Sequence, residues 1–118
     1  MALHNQLGKD GEKLAEQFLL QKGYEILHQN WRYSFYEIDV IARRNGKLHI
    51  VEVKTLSETS PGYPEDSVTK RKFKRLLNAA DEFLFQHPEY RHVQYDILSI
   101  TIRNNGEPEF FLIEDVYF

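Results

Sequence analysis

The fold of this chain is decided by the stretch EIDVIARR-NG-KLHIVEVK, residues 37–54. Asn-Gly between two apolar runs is the strongest short-range signal for a β-hairpin, because both turn residues need a positive φ. A two-residue turn pairs Arg44 with Lys47. The same register then places Asp39 directly opposite Glu52.

The two opposed acids, Asp39 and Glu52, create an electrostatic problem. Side chains alternate along a strand, so both acids project from one face, which they share with Glu37 and Lys54. Carboxylates directly opposite each other destabilise a sheet. A divalent cation would compensate, and Mg²⁺ or Mn²⁺ suits carboxylate ligands. The hairpin therefore predicts a metal site with Lys54 beside it.

A plainer interpretation of the same face is an ion pair between Glu37 and Lys54, with the other two acids in water. Strands that are apolar on both faces are usually covered on both faces. Ionised groups at the edge of a buried surface rarely lack a partner, and this favours the metal site. The acidic face also holds Ile41 and Ile50, and the other face holds Ile38, Val40, Ala42, Val51 and Val53.

Composition limits the class of protein. The chain has 118 residues, 42% of them hydrophobic, which is enough for one domain with a sizeable core. It has no cysteine, which excludes disulfide scaffolds and thiol nucleophiles. No stretch has the length of a membrane span and no signal-peptide pattern is visible, so we expect a cytoplasmic protein without membrane contact. The net charge of −3 argues weakly against a nucleic-acid partner, although local basic patches decide phosphate contact.

Outside the hairpin, apolar periodicity predicts two helices and three more strands. Gly23 ends the first helix, and Asp66 or Ser67 caps the second. The order predicts a single α/β (α+β) domain over residues 1–118, with helices packed on a sheet. The predicted helices span about residues 4–22 and 67–86, the additional strands span 24–28, 93–102 and 109–117, and a loop at 57–67 flanks the site.

The acid pair and the candidate metal-binding groups beside it suit metal-dependent hydrolysis of phosphodiester bonds. Mg²⁺ typically takes one or two protein carboxylates and completes its shell with water and substrate phosphates. The carbonyl of Val53 is a further candidate ligand, and Glu12 of the first helix could supply another, directly or through water. Lys54 lies beside carboxylates, so we expect it to stay protonated and to stabilise charge that develops on the phosphate.

Basic residues of the second helix are candidates for contact with DNA phosphates, and a solvated helix face is the equal alternative. Lys70 lies next to Leu77 on the helical wheel, so we expect it to point toward the sheet and the site. The candidates are Lys70, Arg71, Lys74 and Arg75, with assistance from Arg32, Arg43 and Arg44.

The residues Asp39, Glu52 and Lys54 form the pattern D-x12-E-x-K, which resembles the signature of the PD-(D/E)xK nuclease superfamily. More specific motifs surround this pattern, and together they resemble the uncharacterised bacterial YraN-type family, whose members resemble archaeal Holliday-junction resolvases. The resemblance covers about residues 5–100. The motifs are GE at 11–12, GY at 23–24, NWR at 30–32, EID at 37–39, VEVK at 51–54, Lys70 and Asp96.

This resemblance implies a restriction endonuclease-like αβββαβ core, with a mixed central sheet flanked by helices and one extra C-terminal strand. It matches Asp39 and Glu52 to the metal-binding acids and Lys54 to the catalytic lysine. Glu12 matches the acid of the first helix, and Lys70 matches a lysine of the second. The implied activity is a Mg- or Mn-dependent endonuclease acting on DNA, with branched or structured DNA among the expected substrates. A junction cutter makes two symmetric incisions, so a homodimer is expected.

Two alternatives stay open. Leu56 and Gln94 stand where the family usually has arginine, and with the negative net charge this favours a nucleic-acid-binding module without turnover. The other alternative is a protein-interaction domain in which the acids and Lys54 form a buried ion network.

Overall fold

The computed structural model describes residues 2–58 and 69–116. The predicted α+β order, αβββαβ with one C-terminal strand, is confirmed. None of the helices in the described ranges is long and apolar enough to cross a membrane. The elements are α1 (Ala2–Gln21), β1 (Glu25–Tyr33), β2 (Tyr36–Arg44), β3 (Lys47–Ser57), α2 (Lys70–Gln86), β4 (Val93–Ile102) and β5 (Pro108–Ile113).

The strands form one mixed sheet in the order β1-β2-β3-β4-β5. Strands β1, β2 and β3 pair antiparallel, β3 and β4 pair parallel, and β5 returns antiparallel to β4. A parallel pair needs a crossover, and α2 lies in the connection between β3 and β4.

The two helices help to build two separate apolar clusters, as expected for strands that are apolar on both faces. Ile41 and Ile50 pack with α2, whereas Val40 and Val51 pack with α1. Ile38 was expected with Val40 but joins the α2 cluster. Asp39 has no partner in either ladder, and Asn30, which lies between the Gln29–Val40 and Trp31–Ile38 pairs, has a φ of 53°. The alternation of faces along β2 is therefore interrupted at Asp39.

Strand β1 extends well beyond the predicted end at residue 28 and continues to Tyr33. Trp31 pairs with Ile38 and Tyr33 pairs with Tyr36. Asn30 adopts a φ of 53° within this strand, a conformation that asparagine tolerates better than most residues. A tight turn at residues 34–35 therefore joins β1 to β2.

Two other boundaries differ from the prediction. Thr69 caps α2, and its hydroxyl accepts a hydrogen bond from the backbone N–H of Lys72 at 3.2 Å; the predicted cap at residues 66–67 and most of the predicted 57–67 loop lie outside the described residues. Strand β5 ends at Ile113, and two residues later Asp115 adopts a φ of 58°, which takes the chain out of the extended conformation; the N–H of Val116 then donates to the carbonyl of Tyr95 at 2.7 Å. Residue 117, the predicted end of this strand, also lies outside the described residues.

Helix α1 approaches β3 very closely at Gly11. A Cβ atom at this glycine would stand 1.9 Å from Oγ1 of Thr55 and 3.0 Å from its Cβ. Gly8 of the same helix has no neighbouring atom within 4 Å of the corresponding point. A side chain at residue 11 would therefore push α1 away from the sheet.

We expect Gly11→Ala to lower the free energy of unfolding by about 1–3 kcal/mol, because the added methyl overpacks the helix–strand contact. The matched control is Gly8→Ala, which should raise stability by up to about 1 kcal/mol, since alanine favours helix more than glycine does. Urea unfolding measures both. Equal stability of the two variants would contradict the close approach, and Thr55→Ala should restore part of the Gly11→Ala loss.

Candidate functional site

The hairpin brings the two predicted acids together. Arg44 pairs with Lys47, as the Asn-Gly turn predicts, and the ladder continues to Val40–Val51. Asp39 and Glu52 follow directly beyond the last pair of this ladder, and their carboxyl groups share a hydrogen bond. The two acids are therefore close together, as predicted, but the ladder stops before them, so their direct opposition and their role as metal ligands stay predictions.

Asp39 also accepts a backbone hydrogen bond at this point. Its Oδ2 receives the N–H of Val53 at 2.8 Å, where the strand-to-strand ladder has ended. The side chain therefore replaces a backbone carbonyl as acceptor and is held between the two strands. Val53 takes part through its N–H; a ligand role for its carbonyl stays a prediction.

Glu52 is held in its protonated form at neutral pH. Burial raises the pKa of Glu52 to about 8, and the hydrogen bond and negative charge of Asp39 act in the same direction. The positive charge of Lys72 lowers the pKa, and Glu37 raises it further. The proton on Glu52 offsets the repulsion between the two acids that the sequence predicts.

A cavity of about 160 Å³ opens beside Glu52. It lies between the β1–β2 turn, β3 and the first turns of α2, so two strands and a helix converge on it. Its chemistry is mixed: two carboxylic acids, two cations and two apolar side chains face the same space. The lining residues are Phe35, Glu37, Glu52, Lys72, Arg75 and Leu76.

Lys72, rather than Lys70, is the lysine that lines this cavity. Lys70 lines another cavity, of about 230 Å³, with Lys74 and Leu77 on the other shoulder of α2. Lys70, and not Lys72, was the lysine of α2 predicted to face the site. The signal was present in the helical spacing, because Lys72 precedes the buried Leu76 by four residues and shares its face.

We expect Lys72→Met to raise the pKa of Glu52 above its value of about 8, because a nearby positive charge that favours the carboxylate is removed. NMR titration of the glutamate carboxyl carbons measures this pKa. The matched control is Lys70→Met, which removes the same charge from the other shoulder of the helix and should leave the titration unchanged. An equal shift in both variants would contradict the assignment of Lys72.

The three arginines predicted to assist in DNA contact lie at different ends of the sheet. Arg32 forms an ion pair with Glu37 at 3.2 Å and so lies next to the cavity. Arg43 pairs with Glu25, and the guanidinium of Arg44 lies over the ring of Tyr24 at 4.6 Å. Arg43 and Arg44 follow Asp39 by four and five residues along β2, which is roughly 13–17 Å. Within the predicted basic set, Arg75 lines the cavity, and Arg71 and Lys74 are exposed on α2.

Lys54 and Glu12 complete the predicted site residues. Thr55 meets α1, so its neighbour Lys54 projects from the other face, toward α2, where it is half-buried. Glu12 is exposed on α1, and it is not among the described charges that shift the pKa of Glu52. Within the part of the chain that the structure describes, no three His, Cys, Asp or Glu side chains converge to hold a metal. The roles of Lys54, Glu12 and Lys70 stay predictions.

A second polar cluster lies buried on the α1 face of the sheet. Nδ1 of His49 lies 2.8 Å from Oδ2 of Asp96, and both side chains are nearly inaccessible. Oδ1 of Asp96 accepts hydrogen bonds from the side chain of Gln94 at 2.9 Å and from the backbone N–H of Asp115 at 3.0 Å. His49 is therefore a packed interior residue. Asp96 ties β3, β4 and the end of β5 together.

Comparisons with known proteins identify relatives along nearly the whole chain. A UPF0102 protein of Bacteroides fragilis is 46% identical over 118 residues, covering 98% of this chain and 93% of the relative. A UPF0102 protein of Bacteroides thetaiotaomicron is 39% identical over 118 residues, covering 100% of this chain and 97% of the relative. A UPF0102 protein of Phocaeicola vulgatus is 38% identical over 116 residues, covering 98% of this chain and 93% of the relative. Residues 11–100 match the family described as "Uncharacterised protein family UPF0102". The chain therefore belongs to the UPF0102 family, the YraN-type family that its motifs resemble.

Proposed function

We propose that this protein is a metal-dependent endonuclease that hydrolyses phosphodiester bonds of DNA, with branched or structured DNA as its substrate. The observation that carries the proposal is the contact between the Asp39 and Glu52 carboxyl groups at the point where β2 and β3 stop pairing. Two carboxyl groups held against each other by rigid strands are preorganised for a shared cation.

The donor set at this point fits Mg²⁺ or Mn²⁺. Asp39 and Glu52 would hold the cation, and two carboxylates are the number that Mg²⁺ usually takes from a protein. When bound, such a cation supplies an activated water and charge stabilisation at the phosphate. Glu52 must lose its proton to act as a ligand, so cation binding should be weaker below pH 8 than above it.

The remaining charged residues have roles that follow from their places. Lys54, on the same face as Glu52, would stabilise the negative charge that develops on the attacked phosphate. Lys72 and Arg75 line the cavity beside Glu52 and would hold the DNA backbone there. Arg32 forms an ion pair with Glu37 beside the cavity, so part of its positive charge is already compensated within the protein.

The test incubates the protein with branched, single-stranded and duplex DNA in Mn²⁺ or Mg²⁺. We expect cutting by the wild type, and a loss of at least about 100-fold in Lys54→Ala, because a group that stabilises charge in the transition state is removed. Lys70→Ala is the matched control and should cut normally if Lys72 is the α2 lysine of the site. Equal cutting by wild type and Lys54→Ala would contradict the proposed site.

Calorimetric titration with Mn²⁺ separates this proposal from the two alternatives. A nuclease should bind the cation in the wild type and lose it in Asp39→Asn. Salt-sensitive DNA binding without any cutting would favour a binding module that acts through the basic face of α2. Absence of cation binding, together with strong destabilisation by Lys54→Ala, would favour a protein-interaction domain with a buried ion network.

A further inference from the structure

Phe35 is the most exposed large apolar side chain among the described residues, at 97% exposure, and it lies at the tip of the β1–β2 turn. A single exposed aromatic residue is common on protein surfaces and does not by itself indicate a binding site. Phe35 differs because it lines the same cavity as Glu52, Lys72 and Arg75. An unshielded aromatic ring thus stands at the mouth of the proposed catalytic cavity.

The turn that carries Phe35 is firmly supported. Tyr33 and Tyr36 pair on either side of it, and Trp31 pairs with Ile38 two residues further down the ladder. Ser34 adopts a φ of 57°, which turns the chain within two residues. Trp31 and Tyr36 pack against the α2 cluster. The ring is therefore presented from a rigid hairpin at little further cost in conformational entropy on binding.

The surroundings of Phe35 match the physics of single-strand recognition. Proteins that bind unpaired strands combine cations that follow the backbone with aromatic rings on which bases stack. Lys72 and Arg75 supply the cations and Phe35 supplies the ring, all facing one cavity. A continuous duplex keeps its bases stacked within the helix and cannot offer a free base face to this ring.

We propose that Phe35 is a stacking platform for an unpaired base next to the scissile phosphodiester bond. The site would then prefer DNA with an unpaired nucleotide at the cut, such as forks, flaps and gaps, to continuous duplex. This inference rests on the proposed nuclease function. Phe35 acts as a specificity-determining residue, and the acids beside it perform the chemistry.

The test measures binding by fluorescence anisotropy in Ca²⁺, using a forked DNA and a continuous duplex of the same sequence. The fork carries 2-aminopurine at its first unpaired position, because the fluorescence of this base falls when it stacks. Base–aromatic stacking is worth about 1–3 kcal/mol, so Phe35→Ala should weaken fork binding by roughly 5- to 150-fold and abolish the quenching. Duplex binding should stay unchanged, and Phe35→Trp should retain both fork binding and quenching.

Phe85→Ala is the matched control. Phe85 is 82% exposed, but it lies 13 residues beyond Lys72 on α2, roughly 20 Å away, and its removal should leave fork binding intact.

Equal weakening of fork binding and duplex binding by Phe35→Ala would overturn the stacking role. A change from dimer to monomer in sedimentation would overturn it too, because Phe35 would then be an interface residue. Cutting in Mn²⁺ with no effect of Phe35→Ala overturns this inference alone. Fork-specific stacking without cutting overturns only the nuclease proposal, and failure to bind any DNA overturns both.

Discussion

Glu52→Gln is expected to abolish metal-dependent DNA cutting and, above pH 8, to make the metal-free protein more stable than the wild type. The glutamine amide keeps the shape of the acid and donates to Asp39 as the protonated acid does, but it cannot become an anionic ligand. We expect cutting to fall by at least about 100-fold, as when a group central to charge stabilisation is lost. Cation binding in calorimetry should be lost with it.

The stability gain follows from the raised pKa of Glu52. The ordinary pKa of a glutamate is about 4.5, and below that pH both the folded and the unfolded chain carry the proton of Glu52. Between pH 4.5 and about pH 8, only the folded chain keeps this proton. The folded state binds more protons in this window, so the wild-type free energy of unfolding should fall as pH rises, by up to about 1.4 kcal/mol per pH unit, and level off above pH 8. Glu52→Gln removes this contribution.

Chemical denaturation from pH 5 to 9 measures the two slopes. Glu25→Gln is a suitable control, because Glu25 is an exposed acid of the same sheet that pairs with Arg43. It should retain the wild-type dependence on pH. A Glu52→Gln variant that loses stability with rising pH as steeply as the wild type does would show that Glu52 carries no extra proton in the folded state.

Asp96→Ala should be the most destabilising substitution outside the proposed site, with a loss of about 3–5 kcal/mol in the free energy of unfolding. Asp96 is 1% exposed and its two oxygens accept from three partners, including the His49 ring. Alanine leaves those three donors buried without an acceptor. The free-energy cost of such unpaired donors is larger than the net stabilisation that the hydrogen bonds provide. Urea unfolding measures the loss.

Two further variants separate the buried network from simple loss of packing. Asp96→Asn keeps one carbonyl oxygen as an acceptor and should cost less than Asp96→Ala. Combining Asp96→Ala with His49→Leu removes a polar group that would otherwise remain unpaired, so the double variant should be more stable than the sum of the two single losses predicts. Strict additivity would mean that His49 and Asp96 do not act as a pair.

Local sequence signals predicted the part of the site that the β2–β3 hairpin builds, which is the pair of acids. The Asn-Gly turn fixes the register of the β2–β3 ladder, and Asp39 and Glu52 meet just beyond the last pair of that ladder. The apolar residues on both faces of the hairpin predicted cover on both faces, which the α1 and α2 clusters provide. The family motifs led to the same core, because they lie on the same elements.

The rest depends on contacts that periodicity cannot reveal. Lys70 and Lys72 lie on opposite shoulders of one apolar stripe, and the choice between them depends on how α2 is rotated over the sheet. His49 and Asp96 meet because β3 and β4 pair in parallel, 47 residues apart in the chain. Ile38 changes cluster where the β2–β3 ladder ends. Each of these outcomes is set by tertiary packing rather than by local preference.

The order of strands also bears on how the chain folds. The β2–β3 hairpin closes through two turn residues, and hairpins form within about 1–10 μs. The pairing of β3 with β4 must first close a loop that contains all of α2, and such distant contacts slow folding. Asp39 and Glu52 lie on the fast, local part of this topology. We therefore expect the two acids to meet early on the folding pathway, before the His49–Asp96 pair has formed. Their mutual repulsion would destabilise the newly formed hairpin unless a proton or a cation binds between them at that stage.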